Sequence, residues 1–315
     1  MSRKGYAIYF VTIVVLGIGF VNYPFIQYVT HASSVVYTST ASYIEATSST
    51  EFLTVPTQYS ILNDKIPSIS AKSFVIGDLD TGEIILSNDD KTARPIASIS
   101  KLMTALVASE HMGATNTILV SQEAKVGQCI SDLKVGGTFA LSDIFYSLLL
   151  KSNNEAAEAI AITYGRSEFI NLMNNKASEL GLSSMNFNDP SGLSPENVSN
   201  ANDLFSFAKY LYNNQSDIIA ITKTEQYQII GHHWINISKF INDKDYLGGK
   251  NGYTDEAKQT LVAMFREKIG KDYHNIAFIL LDGAANKTDV SKLSSFVEKY
   301  VAVKTNEPKS LVFNP

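Results

Sequence analysis

Apolar and polar positions give the chain three textures. Residues 5–29 (GYAIYFVTIVVLGIGFVNYPFIQYV) are apolar with no polar face. At about 1.5 Å per residue they would build a helix of roughly 37 Å, enough to cross a bilayer core of about 30 Å. Asn22 and Pro24 shorten the useful span to about 17 residues, the lower end of what spans a membrane. Residues 30–60 hold 14 Ser or Thr and two formal charges, Glu45 and Glu51, without periodicity. Such a polar, nearly uncharged stretch reads as a linker. From Ile61 onward the periods of strands and helices set in. The pattern therefore predicts a membrane segment or signal peptide over 1–30, a linker over 31–60 and one folded domain over 61–315.

Within that domain, Ser73–Asp78 and Glu83–Ser87 flank Asp80-Thr81-Gly82, a hairpin signature. Pro95 precedes an apolar-periodic helix over Ile96–Met112. Helices are also predicted over Asp143–Leu150 with Ser142 as N-cap, Glu155–Tyr164, Ser167–Leu180 and Asn202–Tyr212. Lys250-Asn251-Gly252 precedes two apolar runs, Thr260–Phe265 and Asn275–Leu281, which read as antiparallel neighbours. Val290–Val301 is an amphipathic helix. Strands near both ends with helices between them predict one antiparallel sheet, in the α+β manner, with a helical region beside it.

Charge sets the compartment. Arg3 and Lys4 precede the apolar run, and the next formal charge is Glu45. The positive-inside rule places the N-terminus in the cytoplasm and the domain outside. Two readings remain: a retained anchor, or a signal peptide that is cleaved. Thr30-His31-Ala32 is a poor cleavage site, which favours the anchor. With 26 Lys and Arg against 31 Asp and Glu, the formal charge is −5, which argues against nucleic acid as a partner. A single cysteine, Cys129, excludes an internal disulfide and a cysteine-built zinc site. Five histidines without a His-Glu-x-x-His pair leave little for a metal. His232-His233-Trp234 reads as a strand or loop feature, and Gly17-Ile18-Gly19 as helix packing.

Three short motifs carry candidate chemistry. Ser98-Ile99-Ser100-Lys101 places a lysine one turn from a serine. A serine hydroxyl needs a base to become nucleophilic, and a lysine serves if burial or a neighbouring cation favours its neutral form. Taken alone, the same spacing describes a helix cap followed by a solvated lysine. Ser152-Asn153-Asn154 interrupts two helical segments and would hold a hydroxyl and an amide at a cleft edge; alone it is a loop with Asx capping. Lys250-Asn251-Gly252 reads either as a tight turn or as a strand edge offering a cation and backbone N–H groups to an extended acyl substrate.

In combination the order Ser-x-x-Lys, Ser-x-Asn, Lys-x-Gly is specific to penicillin-binding proteins and class A β-lactamases. Together with PIASISKLMTAL, VGGTFALSDIFYSLLLKSNNEAAEAIA, LGLSSMNFNDPSGL, ANDLFSFAKYL and GGKNGYTDEAKQTLVA, it makes residues 70–282 resemble the D-alanyl-D-alanine carboxypeptidase family, the low-molecular-mass penicillin-binding proteins. The resemblance implies the β-lactamase/transpeptidase-like fold: an antiparallel sheet flanked by helices plus an all-helical subdomain. It implies Ser98 as the acylated nucleophile, Lys101 as general base and Ser152 as proton relay to the leaving D-alanine. Asn154, Lys250, Asn251, Gly252, Tyr253 and Thr254 would bind substrate, with the N–H groups of Ser98 and Tyr253 as oxyanion hole. Neither cofactor nor metal is implied. The partners would be the peptidoglycan stem peptide, β-lactam antibiotics as covalent inhibitors and, through the N-terminal segment, the membrane. Many members also carry a β-rich domain and a C-terminal anchor, a role the N-terminal segment would take here.

One departure stands out. The family's third motif is usually Lys-Thr-Gly, and here Asn251 replaces the threonine that helps bind the terminal carboxylate. Asn251 keeps a donor but is bulkier. The competing functions are a β-lactamase, a D,D-endopeptidase using the same residues, and a non-catalytic wall-binding homologue. The first expects Glu-x-x-Leu-Asn; the nearest match, Glu179-Leu180-Gly181-Leu182-Ser183, misses both the spacing and the asparagine.

Overall fold

The computed structural model describes residues 58–304 apart from 64 and 127–131. The apolar run, nearly all of the Ser/Thr-rich stretch and Cys129 lie outside the described residues. No helix among the described residues is long and apolar enough to cross a membrane.

In chain order, β1 (Ser73–Asp78) and β2 (Ile84–Asn88) are followed by six helices: α1 (Ser100–His111), α2 (Leu141–Leu150), α3 (Asn154–Tyr164), α4 (Arg166–Glu179), α5 (Ala201–Asn214) and α6 (Ser216–Lys223). Then come β3 (Tyr246–Thr254), β4 (Lys258–Ile269), β5 (Asp272–Gly283) and α7 (Asn286–Tyr300). These five strands form one antiparallel sheet in the order β3-β4-β5-β1-β2, so strands from both ends of the domain do meet. The β1–β2 turn is held by Asp78 Oδ1, which accepts from the N–H groups of Asp80 and Thr81 at 2.8 Å each.

Both faces of the sheet are covered, which is why β4 and β5 read as unbroken apolar runs. Successive side chains on a strand point to opposite faces. Leu261, Ala263, Phe265, Ile276, Phe278 and Leu280 pack with Val290, Leu293 and Phe296 of α7. Val262, Met264, Ala277, Ile279 and Leu281 join the helical core on the other side. That core surrounds α1, whose Leu102, Met103, Ala105, Leu106 and Val107 are fully buried together with the polar Ser100, Lys101 and Thr104, while its last residues, Ser109, Glu110 and His111, are exposed.

Of the two readings of Lys250-Asn251-Gly252, the strand edge holds: it is the middle of edge strand β3. Three local expectations change. Strands β4 and β5 run past their apolar stretches, because backbone pairing continues through polar residues as far as Ile269 opposite Asp272. Helix α2 starts at Leu141 with Ala140 as N-cap, not Ser142; the N–H groups of Leu141 and Ser142 are taken by the carbonyls of Asn116 and Ala114. Helix α6 is additional, burying Ile218 and Ile219.

Candidate active site

Ser98 lies in a 3-10 turn, Ala97–Ile99, that runs directly into α1. Ala97 has φ +49°, a region that L-residues with a side chain avoid and that costs of order 1–3 kcal/mol. The surroundings enforce it. Ser100 Oγ donates to the Ala97 carbonyl at 2.9 Å and accepts from Asn197 Nδ2 at 3.0 Å. Gly192 lies so close that a Cβ there would come within 1.9 Å of the same carbonyl oxygen. The strained turn leaves Ser98 half-buried at the mouth of the site.

Lys101 is fully buried. Its Nζ lies 3.0 Å from Ser98 Oγ, 2.7 Å from Asn154 Oδ1 and 2.5 Å from the Ser191 carbonyl oxygen. A neutral amine has two N–H groups and one lone pair. As an ammonium Lys101 donates to all three; in the neutral form that a base needs, donation to Asn154 and Ser191 would leave the lone pair for the Ser98 hydroxyl.

The Ser191 carbonyl is delivered by a loop built on Asp189. That buried carboxylate accepts from the N–H groups of Ser191 and Gly192 at 2.6 Å each and from Ser191 Oγ at 2.8 Å through Oδ1, and from Ser194 N–H at 2.6 Å through Oδ2. Asn197 Nδ2 also donates to the Asp189 carbonyl at 2.8 Å, and Thr104 Oγ1 to that of Pro190 at 2.5 Å. Neither Asp189 nor Asn197 was singled out from the sequence. Their signal was Asp189-Pro190-Ser191-Gly192, an Asx-turn pattern, but a backbone acceptor has no residue type to reveal it. Asp189→Ala is expected to destabilise the domain by about 3 kcal/mol by orphaning these donors. Urea denaturation checks this, and acylation of Ser98 should slow as the Ser191 carbonyl moves.

The second motif follows α2. Asn153 Oδ1 accepts from the N–H groups of Glu155 and Ala156, at 2.9 and 3.2 Å, and caps α3. The cap places Asn154 in the first turn, facing Lys101. Ser152 is half-buried with φ +57°, a second left-handed backbone position in the site after Ala97.

The third motif reaches the serine through β3. The strand packs against the Ala97–Ile99 turn. A Cβ on Gly252 would come within 2.8 Å of Ser98 N, so only glycine allows this approach. Lys250 is 3% exposed and donates to the Asn251 carbonyl at 2.8 Å. Burial, reinforced by the charge of Lys101, holds its amine well below the usual lysine range. Such an amine carries fewer protons folded than unfolded. The destabilisation from burying it is therefore present below the folded pKa and fades as pH rises toward the unfolded value. From about pH 8 to 10, stability of the native protein should rise more steeply than that of Lys250→Met; parallel curves in urea titrations would contradict this.

The structure thus joins Ser98, Lys101, Asn154 and Gly252 directly. The side chains of two predicted binding residues fall on the other face of the strand, which leaves the expected role of the Tyr253 N–H untouched. Asn251 and Tyr253 alternate with Lys250 and Gly252, and Asn251 lies opposite Leu261 on the α7 side of the sheet. The Thr254 hydroxyl accepts from Ala257 N–H at 3.1 Å in the β3–β4 turn. Glu179, the nearest sequence match to a β-lactamase glutamate, is a surface residue paired with Lys176 at 2.9 Å. His232 and His233 stand in a short strand, and no group of His, Cys, Asp and Glu among the described residues could hold a metal ion.

Comparison with known proteins bears on this arrangement. The profile of peptidase S11, D-alanyl-D-alanine carboxypeptidase, matches residues 61–279. The chain is 38% identical over 143 residues to a D-alanyl-D-alanine endopeptidase of Escherichia coli (strain K12), covering 44% of this chain but only 46% of that protein. It is 30% identical over 241 residues to a D-alanyl-D-alanine endopeptidase of Haemophilus influenzae, covering 73% of this chain and 82% of the relative. Among solved structures, a D-alanyl-D-alanine carboxypeptidase from Mycobacterium tuberculosis superposes with a TM-score of 0.67 at 25% identity, over 74% of this chain and 92% of that one. A site of serine, lysine and asparagine on this fold, together with a profile match across most of the domain, establishes that the chain belongs to the D-alanyl-D-alanine carboxypeptidase family.

Proposed function

We propose that the protein is a serine D,D-carboxypeptidase that removes the terminal D-alanine from peptidoglycan stem peptides, working outside the cell and held at the membrane through residues 1–30. The observation that carries the chemistry is the position of Lys101 Nζ, held by Asn154 Oδ1 and the Ser191 carbonyl at 3.0 Å from Ser98 Oγ. Ser98 Oγ attacks the carbonyl of the scissile D-Ala-D-Ala bond as its proton passes to Lys101 Nζ. The tetrahedral oxyanion is met by the N–H groups of Ser98 and Tyr253. Collapse breaks the C–N bond, Ser152 relays a proton to the leaving amine, and D-alanine departs. Water then attacks the ester carbonyl as its proton passes to Lys101; collapse breaks the bond to Ser98 Oγ, which takes that proton back from Lys101. Lys250 supplies positive potential near the terminal carboxylate, which on binding favours its charged form. The charge asymmetry around the apolar run supports the outward orientation.

The relatives named endopeptidases favour a second reading, cleavage of D,D cross-links with the same residues. Fluorescent penicillin labelling, with Ser98→Ala as control, and D-alanine release from a pentapeptide test the first reading. Labelling with release supports it. Labelling with cleavage of a cross-linked dimer only supports the endopeptidase, and labelling without either supports a binding homologue. No labelling overturns the acylation chemistry, and rapid penicillin turnover would make the protein a β-lactamase.

A further inference from the structure

We infer that the cavity behind the catalytic strand is a subsite for a carboxylate carried on a side arm of the peptide substrate; this rests on the peptidase reading above. The cavity, of about 200 Å³, lies on the α7 side of β3, and its lining includes Ser238, Lys239, Phe240, Asn251, Tyr253 and Lys287. It has room for a short charged arm and not for a second peptide chain.

Strand geometry connects this cavity to the chemistry. Strand β3 is at the edge of the sheet, and an extended peptide lying along such an edge presents successive side chains to opposite faces. The Lys250 and Gly252 face of β3 looks at Ser98, while Asn251 and Tyr253 line the cavity on the other face. With the scissile carbonyl at Ser98, every second side chain of the acyl part is directed to the cavity side.

The lining chooses the charge. Lys239 and Lys287 contribute two cations, and none of the residues lining the cavity is a carboxylate. Helix α7 begins at Asn286, so the positive end of its dipole also faces this space. The acid of its first turn, Asp289, is turned away and accepts from Ser70 N–H at 2.9 Å, Ser70 Oγ at 2.6 Å and Ala71 N–H at 3.1 Å. Asp255 accepts from Tyr253 Oη at 3.0 Å. Beyond Phe240 and Lys287 an adjoining cavity carries Asp243, Asp245 and Glu267 beside Arg266, a net acidic lining less suited to an anion than the β3 side. Phe240 and Leu261 add apolar contact for the stem of the arm. The departure at Asn251 gains a role here: its amide donor reaches a space a threonine hydroxyl would serve less well.

The test uses the full chain and two matched peptides ending in D-Ala-D-Ala. One has a free side-arm carboxylate on the residue preceding D-Ala-D-Ala; the other has that carboxylate amidated. The native enzyme should show a KM about tenfold lower for the acidic peptide, with kcat changed little. The Lys239→Ala/Lys287→Ala double variant should lose the preference, and Lys239→Arg/Lys287→Arg should retain it. Asn251→Thr should weaken it in part. Equal KM values in the native enzyme, or a preference that survives the double alanine variant, overturn the subsite. Penicillin labelling of the native enzyme needs no side arm: present, it leaves the serine chemistry standing when the subsite fails; absent, it overturns both.

Discussion

Lys101→Ala is expected to slow acylation of Ser98 by about 10²- to 10⁴-fold, the range of a general base. Nζ is 3.0 Å from Ser98 Oγ, within reach of the proton that the proposed mechanism has it take. The rate of fluorescent penicillin labelling measures the loss directly. Removing the amine also leaves Asn154 Oδ1 and the Ser191 carbonyl without this donor, a cost of about 1–3 kcal/mol for each buried group, partly offset by no longer burying an amine. Lys101→Arg separates chemistry from structure. A guanidinium keeps the charge and the donors but does not give up its proton. If arginine restored labelling, Lys101 would be acting through charge or packing rather than as a base.

Gly252→Val should reduce acylation by about 10²-fold or more while the domain still folds. A Cβ at this position meets Thr260 Oγ1 at 2.6 Å, Ser98 N at 2.8 Å and Ala97 Cβ at 2.9 Å. None of these is the end of a long flexible side chain, so either β3 or the serine turn must move. A displacement of about 1 Å at reacting groups is enough for a 10²-fold loss, whereas overpacking of this kind costs about 1–3 kcal/mol of stability. Labelling rates and urea midpoints measured together check both parts. A large loss of stability with normal labelling of the folded fraction would contradict the assigned contact between β3 and the serine turn.

Much of the site was legible in the chain because its chemistry uses distinctive side chains at fixed spacing. Ser98 and Lys101 are three residues apart on one short stretch, so local geometry alone makes them neighbours. The strands and helices were legible wherever one period persisted, as in Ser73–Asp78 and Ala201–Asn214. The reading ran out where tertiary contact replaced local preference. Lys250-Asn251-Gly252 stayed open between a turn and a strand edge, and only pairing with β4, extended as far as Thr254, decides for the strand. The loop around Asp189 was missed because its contribution is the Ser191 carbonyl.

The sequence by itself determined that an apolar run and a Ser/Thr-rich stretch precede an α+β domain, and which side chains could supply a nucleophile, a base and a cation. Those properties follow from residue type and periodicity. Only the tertiary structure decided that Asn154 and Ser191 orient the Lys101 amine, that Gly252 lies against Ser98, and that Asn251 faces away from the serine. Each of these depends on which segments pack together and on which side of a strand a residue falls, and local propensity does not encode either.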